Sequence, residues 1–319
     1  MVTKVVDREP TSLELLARMV GSRVDQAVNA TRLLGTLAPL VLQMGQKQIE
    51  AMVRGSLGVG AGDAERGTPG VSKTAPPTRF NGPLSPHRVV DAMPLPLAEI
   101  QKIREAVPGS TINDVFVSVS GGTVRKYLEA KGELPEISLN GLVPMSIHGE
   151  ARSGDAGNQF GLAFVPVFSN TADAGERLRK VCREATKGKN AVNAVGGDLP
   201  ARIFQTLPSW VVDIAFRHVL LPRFNFTVSN VRGPSPPLYL AGARVYAFMP
   251  LNQLFDGLGL SITGFSYHGT LWVSAVADRA MMPDPGFFMD CFRESFAEHL
   301  ALAPRALEAE IGPARRATR

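Results

Sequence analysis

Apolar residues recur every three or four positions near the start of the chain: Leu13, Leu16, Val20, Val24 and Val28, then Leu33, Leu34, Leu37, Leu40, Val41 and Met44. That spacing lines one side of a helix, and Pro39 breaks or kinks it, so the pattern predicts two helices or one bent helix over 12–53. From 55 to 78 the period vanishes into Gly, Pro, Ala and Ser, the composition of a flexible linker. Beyond it, 87–94 reads as extended, 96–106 as a short helix and 111–131 as a longer amphipathic helix. Ser110 or Thr111 can cap the longer helix, and Ile112, Val115, Val119, Val124 and Leu128 form its buried stripe. Strand-like runs follow at 137–147 and 160–168, helices at 172–187 and 199–220, strands at 224–231, 238–248, 259–267 and 271–277, and a last helix over 285–301. Tyr267-His268-Gly269-Thr270 reads as the hairpin turn between the last two strands. Strands and helices mix without the strict alternation of a doubly wound fold. The expected class is therefore α/β (mixed α+β): a mixed β-sheet with packed helices, preceded by N-terminal helices.

Composition adds bounds. At 319 residues, 45% hydrophobic and 20% charged, the chain can bury a sizeable core. Its expected organisation is N-terminal helices over 1–54, a linker over 55–78, one domain over 79–305 and a basic tail over 306–319. The two cysteines, Cys182 and Cys291, fall in helical patterns without metal spacing, so neither a disulfide framework nor a metal site is expected, and the cytoplasm is the natural setting. The first residues lack a secretory pattern, and the longest apolar stretch, 33–44, is far short of the roughly 20 residues that cross a bilayer. A net charge of +5 suits anionic lipid head groups, acidic ligands such as coenzyme A, or nucleic acid. Lys and Arg are spread along the chain rather than striped with aromatics, which argues against nucleic acid. Arg18, Arg23, Arg32, Lys47 and Arg54 would fit the first helices to a membrane surface, but acidic residues interrupt that face and favour packing on a partner domain. Gly58-Val59-Gly60-Ala61-Gly62 imitates a phosphate loop without the strand before or helix after that such a loop requires.

Candidate chemistry concentrates at Gly109-Ser110-Thr111-Ile112-Asn113-Asp114-Val115. In the first turn of a helix the backbone N–H groups are free and the dipole end is positive, so the Asn113 amide there could bind an oxyanion or orient a base. Asn113 and Asp114 could equally do no more than stabilise the helix start. The commonest base is His, yet the five histidines (His87, His148, His218, His268, His299) are scattered and never adjacent. His87 has no partner at nucleophile spacing, and His148 and His268 sit in Gly-bearing turns as solvated loop residues. Ser229-Asn230 ends a strand ahead of Gly233-Pro234, as an ordinary turn also would. Phe160, Leu162, Phe164, Val165 and Val167 suit a core strand as well as the wall of an acyl channel, and the core is favoured.

Six segments, in order, resemble the C-terminal half of the bacterial wax ester synthase/diacylglycerol acyltransferase family: Phe80-Asn81-Gly82-Pro83-Leu84-Ser85-Pro86-His87-Arg88, Thr111-Ile112-Asn113-Asp114-Val115, Leu142-Val143-Pro144-Met145-Ser146, Gly157-Asn158, Val228-Ser229-Asn230-Val231, and Val276-Ala277-Asp278-Arg279 with Pro283-Asp284-Pro285. The resemblance implies a chloramphenicol acetyltransferase-like half that faces a similar half across a solvent tunnel. It also implies a His-His-x-x-x-Asp-Gly motif in the other half, whose second His is the base; this sequence holds no such motif. Asn252-Gln253-Leu254-Phe255-Asp256-Gly257 has the Asp-Gly but an Asn in place of the base, and reads as a loop between strands. Arg232 stands where proline is usual, and Gln159 where a basic residue is common.

By this resemblance Asn113 is an oxyanion or base-orienting residue, Asp114 supports it by holding the loop, and Ser229 and Asn230 border the acyl tunnel. The implied activity is acyl transfer to diacylglycerol or a long-chain alcohol, with acyl-CoA as co-substrate and no further cofactor. The base would come from an N-terminal half; that half or a homo-oligomer is the expected protein partner, and the setting is a peripheral membrane or lipid-droplet surface. Such a half would leave exposed an apolar face that its partner covers. The alternatives are a non-catalytic module that binds acyl-CoA or a lipid surface, and a decayed fragment.

Overall fold

A computed structural model describes residues 74–146, 160–195, 217 and 221–303. The expected N-terminal helices, nearly all of the linker, the helix over 199–220 and the basic tail lie outside the described residues. In chain order the elements are β1 (Arg88–Pro96), α1 (Leu97–Ala106), α2 (Ile112–Ala130), β2 (Asn140–Ser146), β3 (Phe160–Pro166), α3 (Ala174–Val195), β4 (Phe226–Arg232), β5 (Tyr239–Leu240), β6 (Ala243–Arg244), β7 (Leu260–Tyr267), β8 (Thr270–Asp278) and α4 (Pro285–Leu300).

Six strands form one sheet in the order β1-β8-β7-β4-β2-β3. Its centre, β7-β4-β2, is parallel, and the outer pairs β1-β8, β7-β8 and β2-β3 are antiparallel. This is the mixed sheet with packed helices that the pattern predicts. Pro94 and Pro96 fall in β1, an edge strand, where a missing N–H is tolerated and deters further pairing.

Alternation along the strands decides what each face buries. Phe226 and Val228 of β4, Leu260 and Ile262 of β7, and Leu271, Val273, Ala275 and Ala277 of β8 share one core with Val115, Phe116 and Val119 of α2 and Phe288 and Phe292 of α4. On the other face Leu142, Leu221, Phe224 and Leu258 form a smaller cluster flanked by Phe164 and Phe255. Phe164 therefore joins the small cluster while its neighbours Val165 and Val167 join the main core.

The expectation of an amphipathic helix over 111–131 is corrected. The stripe is buried apart from half-buried Ile112, but so are Ser118, Ser120, Gly121, Gly122 and Thr123, because α2 lies inside the domain with the sheet, α3 and α4 all packed on it. Two adjacent glycines in a helix interior cost about 1 kcal/mol each relative to Ala. Close approach explains them: a Cβ on Gly121 would collide with the Val167 carbonyl oxygen, and one on Gly122 would lie 2.5 Å from Arg177 Nη2.

The run at 238–248 is also corrected, from a strand to the two-residue strands β5 and β6 joined through Ala241 (φ 49°) and Gly242 (φ 83°). Pro236, Pro237 and Pro250 lack the N–H that a longer ladder needs. Tyr267 closes this segment instead: Leu238 N donates to its hydroxyl (2.8 Å), which donates to Val245 O (2.9 Å). The β7–β8 turn is as predicted, with positive φ at His268 (45°) and Gly269 (81°), the twist that suits a two-residue hairpin loop.

Candidate active site

The start of α2 is built by its own side chains. Thr111 is the N-cap: its hydroxyl oxygen accepts from Asp114 N (3.2 Å), while Asp114 Oδ2 accepts from Thr111 N and Thr111 Oγ1, both at 2.8 Å. A cap of this kind is worth about 1 kcal/mol. Asp114 is buried and its carboxylate is engaged in this box. Asn113 is half-buried, and its side chain makes no hydrogen bond among the described residues. The box accounts for the N–H of Asp114, and those of Ile112 and Asn113 are left without a partner within the helix. A neutral amide donor and the positive end of a helix dipole therefore coincide at one place.

The sheet fixes where that place is. A Cβ on Gly264 of β7 would lie 3.3 Å from the Phe116 ring, and Gly264 pairs with Asn230 of β4. Further along α2, Gly121 meets Val167 beyond the end of β3, and Lys131 pairs with Asp284 beyond the end of β8. The helix thus runs down the sheet, opposite in direction to β4 and β7, with Asn113 at their carboxyl-terminal ends. In open sheets with parallel strands this is the end at which ligands bind.

Asn230 shares the helix side of β4 with Val228, so Asn113 and Asn230 lie at the same end of the same face. Ser229 points to the opposite face, where its register partner is Thr263. Both residues are half-buried, and neither side chain is hydrogen-bonded among the described residues. Strand alternation thus divides a pair that is adjacent in sequence.

Other segments behind the family resemblance hold the far end of the sheet together. Asn81 Nδ2 donates to Phe224 O and Gly257 O, both at 3.0 Å, and Asn81 Oδ1 accepts from Asn225 Nδ2 (3.0 Å). Asn225 Oδ1 in turn accepts from Asn140 N (2.9 Å), which ties β2 to β4. Asp278 accepts from Ser85 N (2.6 Å) and Ala280 N (2.8 Å) and pairs with Arg88 (3.3 Å). Burial raises its pKa, but these donors outweigh burial and hold the carboxyl below its usual range. Asp284, before α4, is treated likewise: burial raises it, and Lys131 (2.6 Å) and the Tyr127 hydroxyl (2.5 Å) bring it down. Asp256-Gly257 lies in the loop before β7, with Asp256 exposed. A cavity of about 490 Å³, lined by Pro76, Pro83, Leu221, Pro222, Phe224 and Asp256 among others, lies at this far end, away from Asn113.

The histidines do different work. His87 is exposed before β1. His268 is exposed in its turn but bonded, with Nε2 2.7 Å from Arg244 Nη2 and Nδ1 3.2 Å from Ser235 O. His299 is fully buried: Nδ1 donates to Ser295 O (2.7 Å), so Nε2 accepts from Ser118 Oγ (2.8 Å). Its pKa is pushed down to about 3 by burial and by nearby Arg177, which keeps it neutral. His148, His218, Gly157-Asn158 and Gln159 lie outside the described residues, as do the side chains of Pro144, Met145 and Ser146. Among the described residues no three His, Cys, Asp or Glu side chains are grouped to hold a metal ion.

A mixed sheet whose parallel centre ends at a capped helix start, beside an amide side chain that makes no hydrogen bond among the described residues, defines an α/β domain with a polar candidate site. Residues 156–299 match the family described as WS/DGAT C-terminal domain, and residues 2–116, which include Asn113 and Asp114, match the wax ester synthase/diacylglycerol acyltransferase catalytic domain. The chain belongs to the wax ester synthase/diacylglycerol acyltransferase family. A Mycobacterium tuberculosis protein whose assigned name is diacylglycerol O-acyltransferase is 34% identical over 234 residues, covering 71% of this chain and 46% of its own length. A Mycobacterium bovis protein with the same assigned name is 31% identical over 213 residues, covering 66% and 47%. The solved wax ester synthase/diacylglycerol acyltransferase from Marinobacter aquaeolei VT8 superposes with a TM-score of 0.56 at 27% identity, over 72% of this chain and 52% of that one. The chain spans about half the length of the relatives it matches.

Proposed function

We propose that this chain is the C-terminal half of an O-acyltransferase that moves a fatty acyl group from acyl-CoA to diacylglycerol or a long-chain alcohol. The observation that carries this reading is the Asn113 amide, not hydrogen-bonded among the described residues and held by the Thr111–Asp114 box at the ends of β4 and β7, inside the stretch that matches the catalytic domain. In the reaction a His of an N-terminal half takes the acceptor hydroxyl proton as the oxygen attacks the thioester carbonyl. Asn113 Nδ2 donates to the oxyanion, and its collapse expels the coenzyme A thiolate, which takes the proton back from the imidazolium. Asn230, at the same end, borders the acyl chain.

The surface supports a covering partner. Tyr239, Leu240, Tyr246, Met249 and Leu251 are 65, 75, 86, 58 and 69% exposed within a segment of 13 residues, which is more apolar surface than isolated side chains account for. The N-terminal half is the occupant this reading requires. The substrates are lipids, so the assembled enzyme works at the cytoplasmic side of a membrane or on a lipid inclusion; among the described residues no helix is long and apolar enough to cross a bilayer. A second reading is a module that binds acyl-CoA without turnover, for which the net charge of +5 suits the anionic phosphates of coenzyme A.

Acyl transfer from palmitoyl-CoA to hexadecanol and to dipalmitoylglycerol separates the two. The proposal predicts activity only when the chain is mixed with a separately expressed N-terminal half. Tight palmitoyl-CoA binding with no turnover in the mixture would establish the second reading instead.

A further inference from the structure

Ser118 is gripped from two sides in the middle of α2. From α3, Arg177 Nε donates to Ser118 O (3.1 Å), and from α4, His299 Nε2 accepts from Ser118 Oγ (2.8 Å). Next to it, Ser295 Oγ of α4 donates to Val119 O (2.9 Å). Arg177 is fully buried and also donates to Thr171 O (2.7 Å) and Ala172 O (3.3 Å), with Glu298 3.8 Å from Nη2. Room for its guanidinium exists because residue 122 is glycine.

The other polar ties of α2 to its neighbours, Arg125 to Ser169, Lys126 to Glu298, and Tyr127 and Lys131 to Asp284, lie in its last two turns. Nearer Asn113 the remaining packing of the helix is apolar, and apolar contact is non-directional: it holds a helix against its neighbours without fixing rotation or slide. Hydrogen bonds fix both. The anchors at Ser118 and Val119 lie five and six residues from Asn113, a rise of about 8–9 Å along a rigid helix. Their geometry therefore sets where the Asn113 amide stands at the sheet end, while the Thr111–Asp114 box sets only the local shape of the first turn. We propose that Arg177 and His299 are positioning residues that act through Ser118 to place Asn113. This rests on Asn113 being the oxyanion donor, a role in which a displacement of about 1 Å lowers the rate about 100-fold.

The test is Ser118→Ala, which keeps the helix and removes only the hydroxyl, with Arg177→Met as the second variant. The first readout is amide hydrogen exchange, which needs no turnover. The proposal predicts at least about tenfold faster exchange at 112–117 in both variants, with 124–130 unchanged. Unchanged exchange at 112–117 overturns it, whether or not the mixture with an N-terminal half is active. The second readout is kcat in that mixture. Ser118→Ala should lower kcat about tenfold with KM unchanged, and should lower it no further when Asn113 is already Ala. An equal loss in the Asn113→Ala background overturns the proposal. An inactive mixture of the unmodified chains counts against the proposed function, and the exchange result then decides the positioning alone.

Discussion

The guanidinium of Arg177 occupies the space that a side chain on Gly122 would need: a Cβ there would lie 2.5 Å from Nη2 and 3.0 Å from Cζ. Arg177 cannot step aside, because its other nitrogens are committed to the carbonyls of Ser118, Thr171 and Ala172. Gly122→Ala should therefore destabilise the domain by about 2 kcal/mol or more, even though alanine is the better helix former. The matched control is Gly286→Ala in α4, where a Cβ meets nothing within 4 Å; it should be neutral or stabilising by up to about 1 kcal/mol. Urea unfolding midpoints of the two variants check the contrast.

His299 gives stability a pH dependence of known sign. Its folded pKa of about 3 is below the unfolded value of about 6.5, so between these pH values the unfolded chain binds a proton that the folded chain does not. The stabilisation is fully present above pH about 6.5 and is lost as pH falls towards 3, with a slope of at most about 1.4 kcal/mol per pH unit. Unfolding free energies between pH 5 and 6.5 should lose this slope in His299→Leu. The same slope in both proteins would show that other groups supply it.

Asp278 joins β8 to the segment that leads into β1. Asp278→Asn leaves at least one of the Ser85 and Ala280 N–H donors poorly matched and removes the charge facing Arg88. A loss of about 1–3 kcal/mol is expected at neutral pH. Because the folded pKa is depressed, the carboxylate's contribution is present above the unfolded pKa of about 3.9 and fades as pH falls through the lower folded value. Wild type and Asp278→Asn should therefore converge in stability only in strong acid, which a chemical unfolding series checks.

The elements that repeat strongly were legible in the sequence. α1, α2, β7, β8 and the turn between them stand where periodicity and the His268-Gly269 pair predict. What periodicity could not show is burial on a second side. Ser118, Ser120 and Thr123 lie outside the apolar stripe that the periodicity picks out in α2, yet all three are buried: Ser118 meets Arg177 and His299, and the Ser120 and Thr123 hydroxyls bond back to the helix carbonyls of Phe116 and Val119. The Ser118–His299 contact joins residues 181 positions apart, and no local signal marks it. At the site, the helix start around Asn113 was visible as a capping pattern, whereas the placement of Asn230 and Ser229 on opposite faces needed the register of β4 against β7.

The two readings of Asn113-Asp114 separate by what each variant costs. Asp114 carries the cap, so Asp114→Ala should lower stability by about 1 kcal/mol. Asn113 is not hydrogen-bonded within the described fold, so Asn113→Ala should shift the thermal midpoint little.

The most direct test of the central claim is palmitoyl transfer to dipalmitoylglycerol by the chain mixed with an N-terminal half, comparing wild type with Asn113→Ala. If Asn113 donates to the oxyanion, kcat falls by about 100- to 1,000-fold, the cost of about 2.7–4 kcal/mol for losing one such donor, while the thermal midpoint stays put. Undiminished kcat in Asn113→Ala would contradict the claim and leave Asn113 as a residue of the helix start alone.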